Sequence, residues 1–458
     1  MIERLASDSR RCAPGVAFFA YPGEAADGRA HIGDAIRRGA SAVLWEEAGF
    51  AWDDAWRVPN AAVPGLKQRA GELAAEFYGR PSESLWMCGV TGTNGKTSCS
   101  QWIAAALNRK QVRIGVIGTL GFGTPGALHP LPNTTPDALE IQALLKKFLD
   151  QKNEAVVMEV SSHGLVQGRL NGVAFDCALF TNLSHDHLDY HRTMEAYAEA
   201  KARLFDTPGL SAAVLNLDDA VGVQLVRRLK GKSVRVIGYG LADAAAVAVD
   251  EYLPAKILPP EHTRQLGRFN LANALGVLGC LLAFGLDRKE ATALLADLPP
   301  VPGRMQRVGE RPLVVVDYAH TPDALEKVLQ ALRPVAQERR GKLAVVFGAG
   351  GDRDPAKRPL MGAVAARLAD VVLVSSDNPR SEDPLAIISQ IEKGIEGPHQ
   401  IEADRARAIG KMIAQCAAED VVLIAGKGHE DYQEIAGRRL PFSDAVVARA
   451  ALAKRGRE

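Results

Sequence analysis

Few folds accommodate an apolar strand that runs into a glycine-rich turn and then opens a helix at a lysine. Here Leu85-Trp86-Met87-Cys88-Gly89-Val90 leads into Gly92-Thr93-Asn94-Gly95-Lys96-Thr97, and helix-compatible sequence continues from Lys96 to about Asn108. Glycines let a backbone turn its N–H groups toward phosphate oxygens, and the helix adds the positive end of its dipole. In that context Lys96 is placed to reach the β/γ-phosphates of a bound nucleotide and Thr97 to ligate Mg²⁺. The full G-x-x-x-x-G-K-[ST] spacing is not met, because Val90 stands at the first glycine position and Gly92 sits closer.

A strand–loop–helix unit of this kind belongs in a parallel sheet covered on both faces, and the sequence around it alternates accordingly. Strand-like runs at 113–119, 155–160, 177–182 and 213–217 are separated by helix-period segments such as 137–149 and 194–205, and a helical stretch at 271–298 closes the unit. Pro299-Pro300-Val301-Pro302-Gly303 is a stiff boundary, after which alternation restarts with strands at 313–316, 343–347, 371–375 and 421–425. No GxGxxG follows the first of these, so this second unit is not read as a dinucleotide binder. Ahead of the phosphate loop, the chain up to Gly79-Arg80-Pro81 reads as a small α/β unit. The expectation is an α/β protein of three domains. A central P-loop-type parallel sheet (84–302) is flanked by a small N-terminal α/β domain (1–83) and a C-terminal Rossmann-like α/β domain (303–458).

At 458 residues and 47% hydrophobic composition, the chain can bury several cores. Its net charge of +1 gives no field for gripping nucleic acid or an anionic membrane, and nothing approaches a spanning stretch. Small-molecule partners and a cytoplasmic location are therefore expected; the sequence is silent on oligomeric state, and a monomer is the default expectation. The six cysteines are scattered without a CxxC pair, which suggests buried thiols rather than a zinc site or a redox dithiol.

Glu159 ends the apolar strand Ala155-Val156-Val157-Met158, where an acid is costly unless it meets a cation, so it is the first candidate Mg²⁺ ligand besides Thr97. The run Asn182-Leu183-Ser184-His185-Asp186-His187-Leu188-Asp189-Tyr190-His191, read alone, fits a hydrated loop as well as a metal site. Lys201, read alone, fits a solvated helix lysine.

In order along the chain, these runs resemble the Mur ligases, and specifically the members that add diaminopimelate. The resemblance also rests on Asp8-Ser9-Arg10, Asn133-Thr134-Thr135-Pro136, the segment 159–167, and Gly267-Arg268-Phe269-Asn270-Leu271-Ala272-Asn273. To these it adds Asp317-Tyr318-Ala319-His320, Gly350-Gly351-Asp352-Arg353-Asp354, Asp377-Asn378-Pro379-Arg380 and Gly426-Lys427-Gly428-His429-Glu430. It implies that ATP, as substrate, phosphorylates the D-glutamate γ-carboxylate of UDP-MurNAc-L-Ala-D-Glu, and that the amine of meso-diaminopimelate then attacks to give an amide. It further implies two Mg²⁺ ions held by Thr97, Glu159, His187 and a carbamylated Lys201. The nucleotide would lie against Gly92, Thr93, Asn94, Gly95, Lys96 and Thr97, with Asn270 and Asn273 near adenine, Asp317 near the ribose and Arg304 near the phosphates. Ser7 and Ser9 would hold the uridine end, and Thr134, Thr135, Ser161, Gln167 and Arg169 the sugar–peptide part. Diaminopimelate would meet Arg353, Asp377, Asn378, Pro379, Arg380, Gly426 and Glu430. A guanidinium at Arg380 suits the far carboxylate that lysine lacks, and Glu430 suits the far ammonium.

Overall fold

The structure, a computed structural model, describes residues 1–24, 26–242, 247–258 and 260–455, with side chains between 260 and 267 excepted. Gly267 of the adenine motif and residues 456–458 of the expected third domain therefore lie outside the described side chains or residues. The first sheet is parallel and runs Arg4–Ala6, Val16–Ala20, Ala42–Trp45, Asn60–Ala62. Every residue of Val16–Ala20 is buried because helices cover both faces. Phe18 packs with Ile32 and Ala35 of one helix, while its neighbour Phe19 points the other way onto Leu66, Ala70 and Ala74.

The central sheet has nine strands in the order Glu251–Pro254, Arg235–Gly240, Ala212–Asn216, Cys177–Phe180, Trp86–Thr91, Ala155–Glu159, Ile114–Gly118, Gly121–Thr124, Ala127–His129. The parallel expectation holds from Glu251–Pro254 to Ile114–Gly118 and fails at one edge, where the last two strands form an antiparallel meander. That stretch is rich in glycine and proline and shows no alternation, so its pairing comes from the edge it covers. Alternate strand residues feed two cores. Cys88, Val157 and Leu179 face the helices Lys96–Arg109 and Pro260–Phe284, whereas Met87, Val156 and Ala178 face Ala138–Asp150 and its neighbours. The helical stretch expected at 271–298 is two helices, Pro260–Phe284 and Arg288–Leu294, broken at Gly285.

The third sheet orders Gln306–Glu310, Leu313–Asp317, Val421–Ala425, Leu343–Phe347, Val371–Val374, Gln400–Ile401, parallel except for its first strand. A hairpin, Tyr432–Ile435 with Arg438–Pro441, stands apart from it. Polar bridges join the three bodies. Arg11 grips Glu140 with both terminal nitrogens at 2.8 and 3.1 Å, and Gln167 and Tyr190 both reach Glu24 at 2.7 Å. On the other side Asn94 Nδ2 donates to Asp323 at 3.0 Å, and His185 meets Asp354 at 3.1 Å.

All six cysteines are free and buried, and the sulfurs of Cys88, Cys177 and Cys280 lie within 4.8 Å of one another in the central core, a meeting that sequence spacing could not reveal. Among the described residues no helix is long and apolar enough to cross a membrane.

Candidate active site

The loop after Trp86–Thr91 lies where the carboxyl ends of three central strands converge, the usual crevice of an open α/β sheet. Gly92 (φ 146°) admits no side chain, since a Cβ there would fall 1.9 Å from Thr181 Oγ1. Gly95 (φ 89°) turns the chain into the helix, and its missing Cβ leaves room for Asn273. Thr93 N donates to Asn182 O at 2.8 Å and Asn94 N to Asn182 Oδ1 at 3.0 Å, so the loop is held from the neighbouring strand. Thr93 Oγ1 meets Tyr197 OH at 3.2 Å.

Lys96 Nζ donates to the carbonyls of Gly92 and Thr93, both at 2.9 Å. Lys201 Nζ donates to the same Gly92 carbonyl at 2.8 Å and lies over the Tyr197 ring at 4.4 Å. The bland reading of Lys201 as a solvated helix lysine is therefore overturned: it is 1% exposed, boxed in by the loop and by its small helix neighbours. Burial lowers the proton affinity of both lysines, and for Lys201 the nearby Lys96 charge adds to a drop well below the ordinary lysine value.

Glu159, fully buried at its strand end, accepts from Thr97 Oγ1 at 3.0 Å and from Thr119 through both its N–H and its hydroxyl at 2.9 Å. Arg304, from the C-terminal side, donates to Thr97 Oγ1 at 3.0 Å, and its Nε is buried without a partner among the described residues. His187 adopts φ 55° and is T-stacked on His163 at 4.9 Å. Burial pushes its pKa down to about 3, leaving a neutral imidazole at pH 7. Its nearest acid is Asp186 at 3.4 Å, which His320 also approaches at 3.7 Å. Burial opposes the Asp186 charge, but the hydrogen bond from His320 and the charges of His187, His320 and Lys357 hold its carboxyl below the usual range. Thr119 and Tyr197 were not candidates from sequence, and Asp186 and His320 stood only inside longer motifs without a role of their own, since only the folded chain brings them together.

Beside the loop lies a cavity of about 460 Å³ between the central and C-terminal sheets, lined by Asn94, Asn270, Asn273, Arg304 and Asp317 among others. Asp317 accepts from Met305 N and Ala319 N at 2.7 and 2.8 Å, and burial raises its pKa. Nearby, His429 Nδ1 is buried without a partner among the described residues. Burial, Arg304 and Lys427 push its pKa from 6.5 down to about 4. Between those values the unfolded chain takes up a proton that the folded chain refuses. The stability contribution is therefore complete above pH 6.5 and drains away as pH falls toward 4. His429→Gln is expected to flatten the pH dependence of unfolding free energy in that window by about 3 kcal/mol, measured by urea denaturation at several pH values.

Of the residues expected at the sugar–peptide part, Thr134, Thr135, Ser161, Gln167 and Arg169 come together. Thr134 Oγ1 meets Thr119 Oγ1 at 3.0 Å, Ser161 N donates to Thr135 Oγ1 at 3.0 Å, and Arg169 bridges Thr135 O at 2.6 Å and Gln167 Oε1 at 2.8 Å. Ser161 Oγ caps the short helix Ser162–Val166 by accepting from Gly164 N. Ser7 lies in the N-terminal domain, lining a small cavity with Arg11 and Asp137, and Ser9 donates to Asp34 at 3.0 Å.

In the C-terminal domain Asp377, Asn378, Pro379 and Arg380 follow the strand Val371–Val374, and Gly426 follows Val421–Ala425. Asn378 Nδ2 donates to Glu430 Oε2 at 2.8 Å. Arg380, at φ 53°, donates through Nη1 to Gly351 O at 2.7 Å and lies 3.9 Å from Glu434. Arg353 lines an open cleft shared with His185 and Asp189 of the central domain. Beneath the pocket a buried ion pair, Arg405 with Asp444, also ties down the carbonyls of Ser376 and Ala425 at 3.0 and 2.9 Å.

A glycine-turned loop with its lysine, set between sheets that close on one cavity, makes this a P-loop-type α/β protein of three domains. Comparison with known proteins narrows the class. Residues 1–78 match the Mur ligase family, catalytic domain, residues 90–281 the Mur ligase middle domain, and residues 303–428 the Mur ligase, glutamate ligase domain. UDP-N-acetylmuramoyl-L-alanyl-D-glutamate–2,6-diaminopimelate ligase of Chromobacterium violaceum is 50% identical over 470 residues, covering 100% of this chain and 95% of that protein. The protein of the same name from Janthinobacterium sp. (strain Marseille) is 49% identical over 479 residues, covering 98% and 94%. A solved structure of a UDP-N-acetylmuramoyl-L-alanyl-D-glutamate–2,6-diaminopimelate ligase superposes with a TM-score of 0.66 at 37% identity, covering 99% of this chain and 95% of that one. The chain belongs to the Mur ligase family.

Proposed function

We propose that this protein is an ATP-dependent, ADP-forming ligase that adds meso-2,6-diaminopimelate to the D-glutamate γ-carboxylate of UDP-MurNAc-L-Ala-D-Glu, a step of peptidoglycan precursor synthesis. The observation that carries the reading is the convergence of Lys96, Lys201, Thr97 and Glu159 at one loop, with Asn378, Arg380 and Glu430 gathered in the C-terminal domain. The names of relatives near 50% identity over almost the whole chain support the choice of substrates.

The chemistry required is the meeting of a carboxylate with a triphosphate, which stacks negative charge. The donor set fits Mg²⁺, a hard ion that prefers oxygen, because the Thr97 hydroxyl and Glu159 carboxylate already lie 3.0 Å apart. Thr97, Glu159, neutral His187 and Lys201 as a carbamate would hold two Mg²⁺ ions. Bound there, Mg²⁺ would neutralise charge on the phosphates as the acid approaches. Lys201 suits carbamylation because burial favours its neutral amine, the form that adds to CO₂ and then loses one proton. The product is an anion beside Lys96 in place of a second ammonium on the Gly92 carbonyl.

In the reading, Asn270, Asn273 and Asp317 receive the nucleoside, while Lys96 and Arg304 turn from their present partners to the phosphates. The substrate γ-carboxylate attacks the γ-phosphorus, ADP leaves, and an acyl phosphate remains. The diaminopimelate amine, oriented from the Arg380 side, attacks the acyl carbon as phosphate departs. Thr134, Thr135, Ser161, Gln167 and Arg169 grip the acceptor, whose uridine end reaches toward Ser7 and Ser9. The protein acts as a monomer on small molecules in the cytoplasm.

The decisive assay follows ADP release with the UDP-MurNAc-dipeptide plus meso-diaminopimelate, L-lysine or no amino acid. Release is expected to require the dipeptide and to be fastest with meso-diaminopimelate. Release indifferent to the amino acid would overturn the ligase reading.

A further inference from the structure

We infer that Lys427 is a specificity-determining positioning residue, a buried ammonium that aims Glu430 and Asn378 at the far end of the amino-acid substrate and tunes the pocket for a zwitterionic terminus. The inference rests on the functional reading above, which gives Lys427 no role.

Lys427 lies in the loop after the strand Val421–Ala425, and its side chain is 0% exposed. Its Nζ donates to Glu430 Oε2 at 2.8 Å and to Asn378 Oδ1 at 2.9 Å, and sits 5.4 Å from the Tyr432 ring centre. Asn378 closes the triangle by donating from Nδ2 to the same Glu430 oxygen, while its Oδ1 also accepts from Glu434 N at 2.9 Å. The amide of Asn378 is thereby fixed in one orientation, with Oδ1 toward the ammonium and Nδ2 toward the carboxylate.

Two features separate this network from ordinary core packing. The strands that supply Asn378 and Lys427 are not neighbours, because Leu343–Phe347 runs between them, so Lys427 ties two substrate-facing loops across the end of the sheet. The ion pair also has one dry end and one wet end. Lys427 is fully buried, whereas the Glu430 side chain is 15% exposed and, among the described residues, its Oε1 accepts no hydrogen bond. One carboxylate oxygen is held by protein, and the other has no protein donor among the described residues.

The charge consequence follows. With Lys427 in place, Glu430 is locally balanced, and a substrate end carrying both an ammonium and a carboxylate can dock between Glu430 and Arg380. Without the ammonium, Glu430 becomes an unbalanced carboxylate. That arrangement rewards a side chain ending in an ammonium alone and repels one that also carries a carboxylate.

The test compares Lys427→Met and Lys427→Arg with the wild-type chain. The readouts are KM for meso-diaminopimelate, L-lysine and ATP, and positional isotope exchange in ATP with the UDP-MurNAc-dipeptide and no amino acid. Lys427→Met is expected to raise KM for meso-diaminopimelate by about tenfold or more and to shrink the preference over L-lysine by a similar factor. ATP KM and the exchange reaction should stay near wild type, and Lys427→Arg should keep more of the preference than Lys427→Met. Should Lys427→Met fail to fold, Glu430→Gln provides the opposite sign, since it leaves the ammonium unbalanced and should widen the preference against L-lysine. Unchanged KM in Lys427→Met, equal losses for both amino acids, or an unshifted preference in Glu430→Gln would overturn the inference. A wild-type chain whose ADP release ignores the amino acid would instead defeat the functional reading itself.

Discussion

Lys201→Ala is expected to lower ADP release by about 10³-fold or more while leaving the fold as stable as before, or more so. The two halves of that expectation come from one observation. Lys201 Nζ and Lys96 Nζ both donate to the Gly92 carbonyl, at 2.8 and 2.9 Å, inside a site where Lys201 is 1% exposed. Among the described residues no carboxylate lies within ion-pair distance of Lys201, so deleting its amine removes a desolvated group without stranding an opposite charge. A residue kept for structure would lose stability on truncation, whereas one kept for chemistry loses turnover. If the working form is a carbamate, the alanine variant has lost an anion, and a small carboxylic acid able to enter the space should restore part of the activity. Formate, acetate and propionate at increasing concentration supply the measurement, together with thermal unfolding of both proteins. Normal turnover in Lys201→Ala removes the residue from the mechanism, and loss without rescue by any acid removes the carbamate.

The same lysine shows where sequence reading stops. Lys96 and Thr97 were legible because one strand, one turn and one helix are contiguous in the chain, and the helix begins at Lys96 as expected. Strands Leu343–Phe347 and Val421–Ala425 were legible to the residue because they are uninterrupted apolar runs with both faces covered. Lys201 carries no such local mark. The small residues around it permit burial, but the burial itself comes from a loop more than a hundred residues away in the chain. Its placement at the site came only from resemblance. Short strands such as Arg4–Ala6 and Asn60–Ala62 were invisible for a related reason, since three residues carry no periodicity and are held by their neighbours. The helix Pro260–Phe284 starts earlier than its apolar pattern because polar residues fill its first turns. Asp186 meets His320, and Lys427 meets Asn378, only when separate domains or loops converge, and no spacing rule reaches across such a gap.

Arg380→Met is expected to cut kcat/KM for meso-diaminopimelate by about 10³-fold and to erase most of the preference over L-lysine, with ATP binding unchanged. Arg380 holds φ 53°, a left-handed backbone that a long side chain adopts only when its surroundings insist. Its N–H is pinned by Glu434 O at 3.0 Å, and Nη1 leans on Gly351 O at 2.7 Å. The guanidinium is partly exposed, and Glu434, at 3.9 Å from Nε, is too loosely placed to saturate its remaining donors. A second carboxylate on the substrate completes that hydrogen bonding, whereas lysine leaves the donors unpaired, which is the origin of the discrimination. Arg380→Lys should recover only part of the loss, because a point charge cannot reproduce two parallel N–H···O bonds. Steady-state kinetics with both amino acids, alongside ATP affinity for each variant, provide the check. A methionine variant that still prefers meso-diaminopimelate by the wild-type margin would move the selectivity to another residue, and Arg353, lining the adjoining cleft, would be the next to substitute.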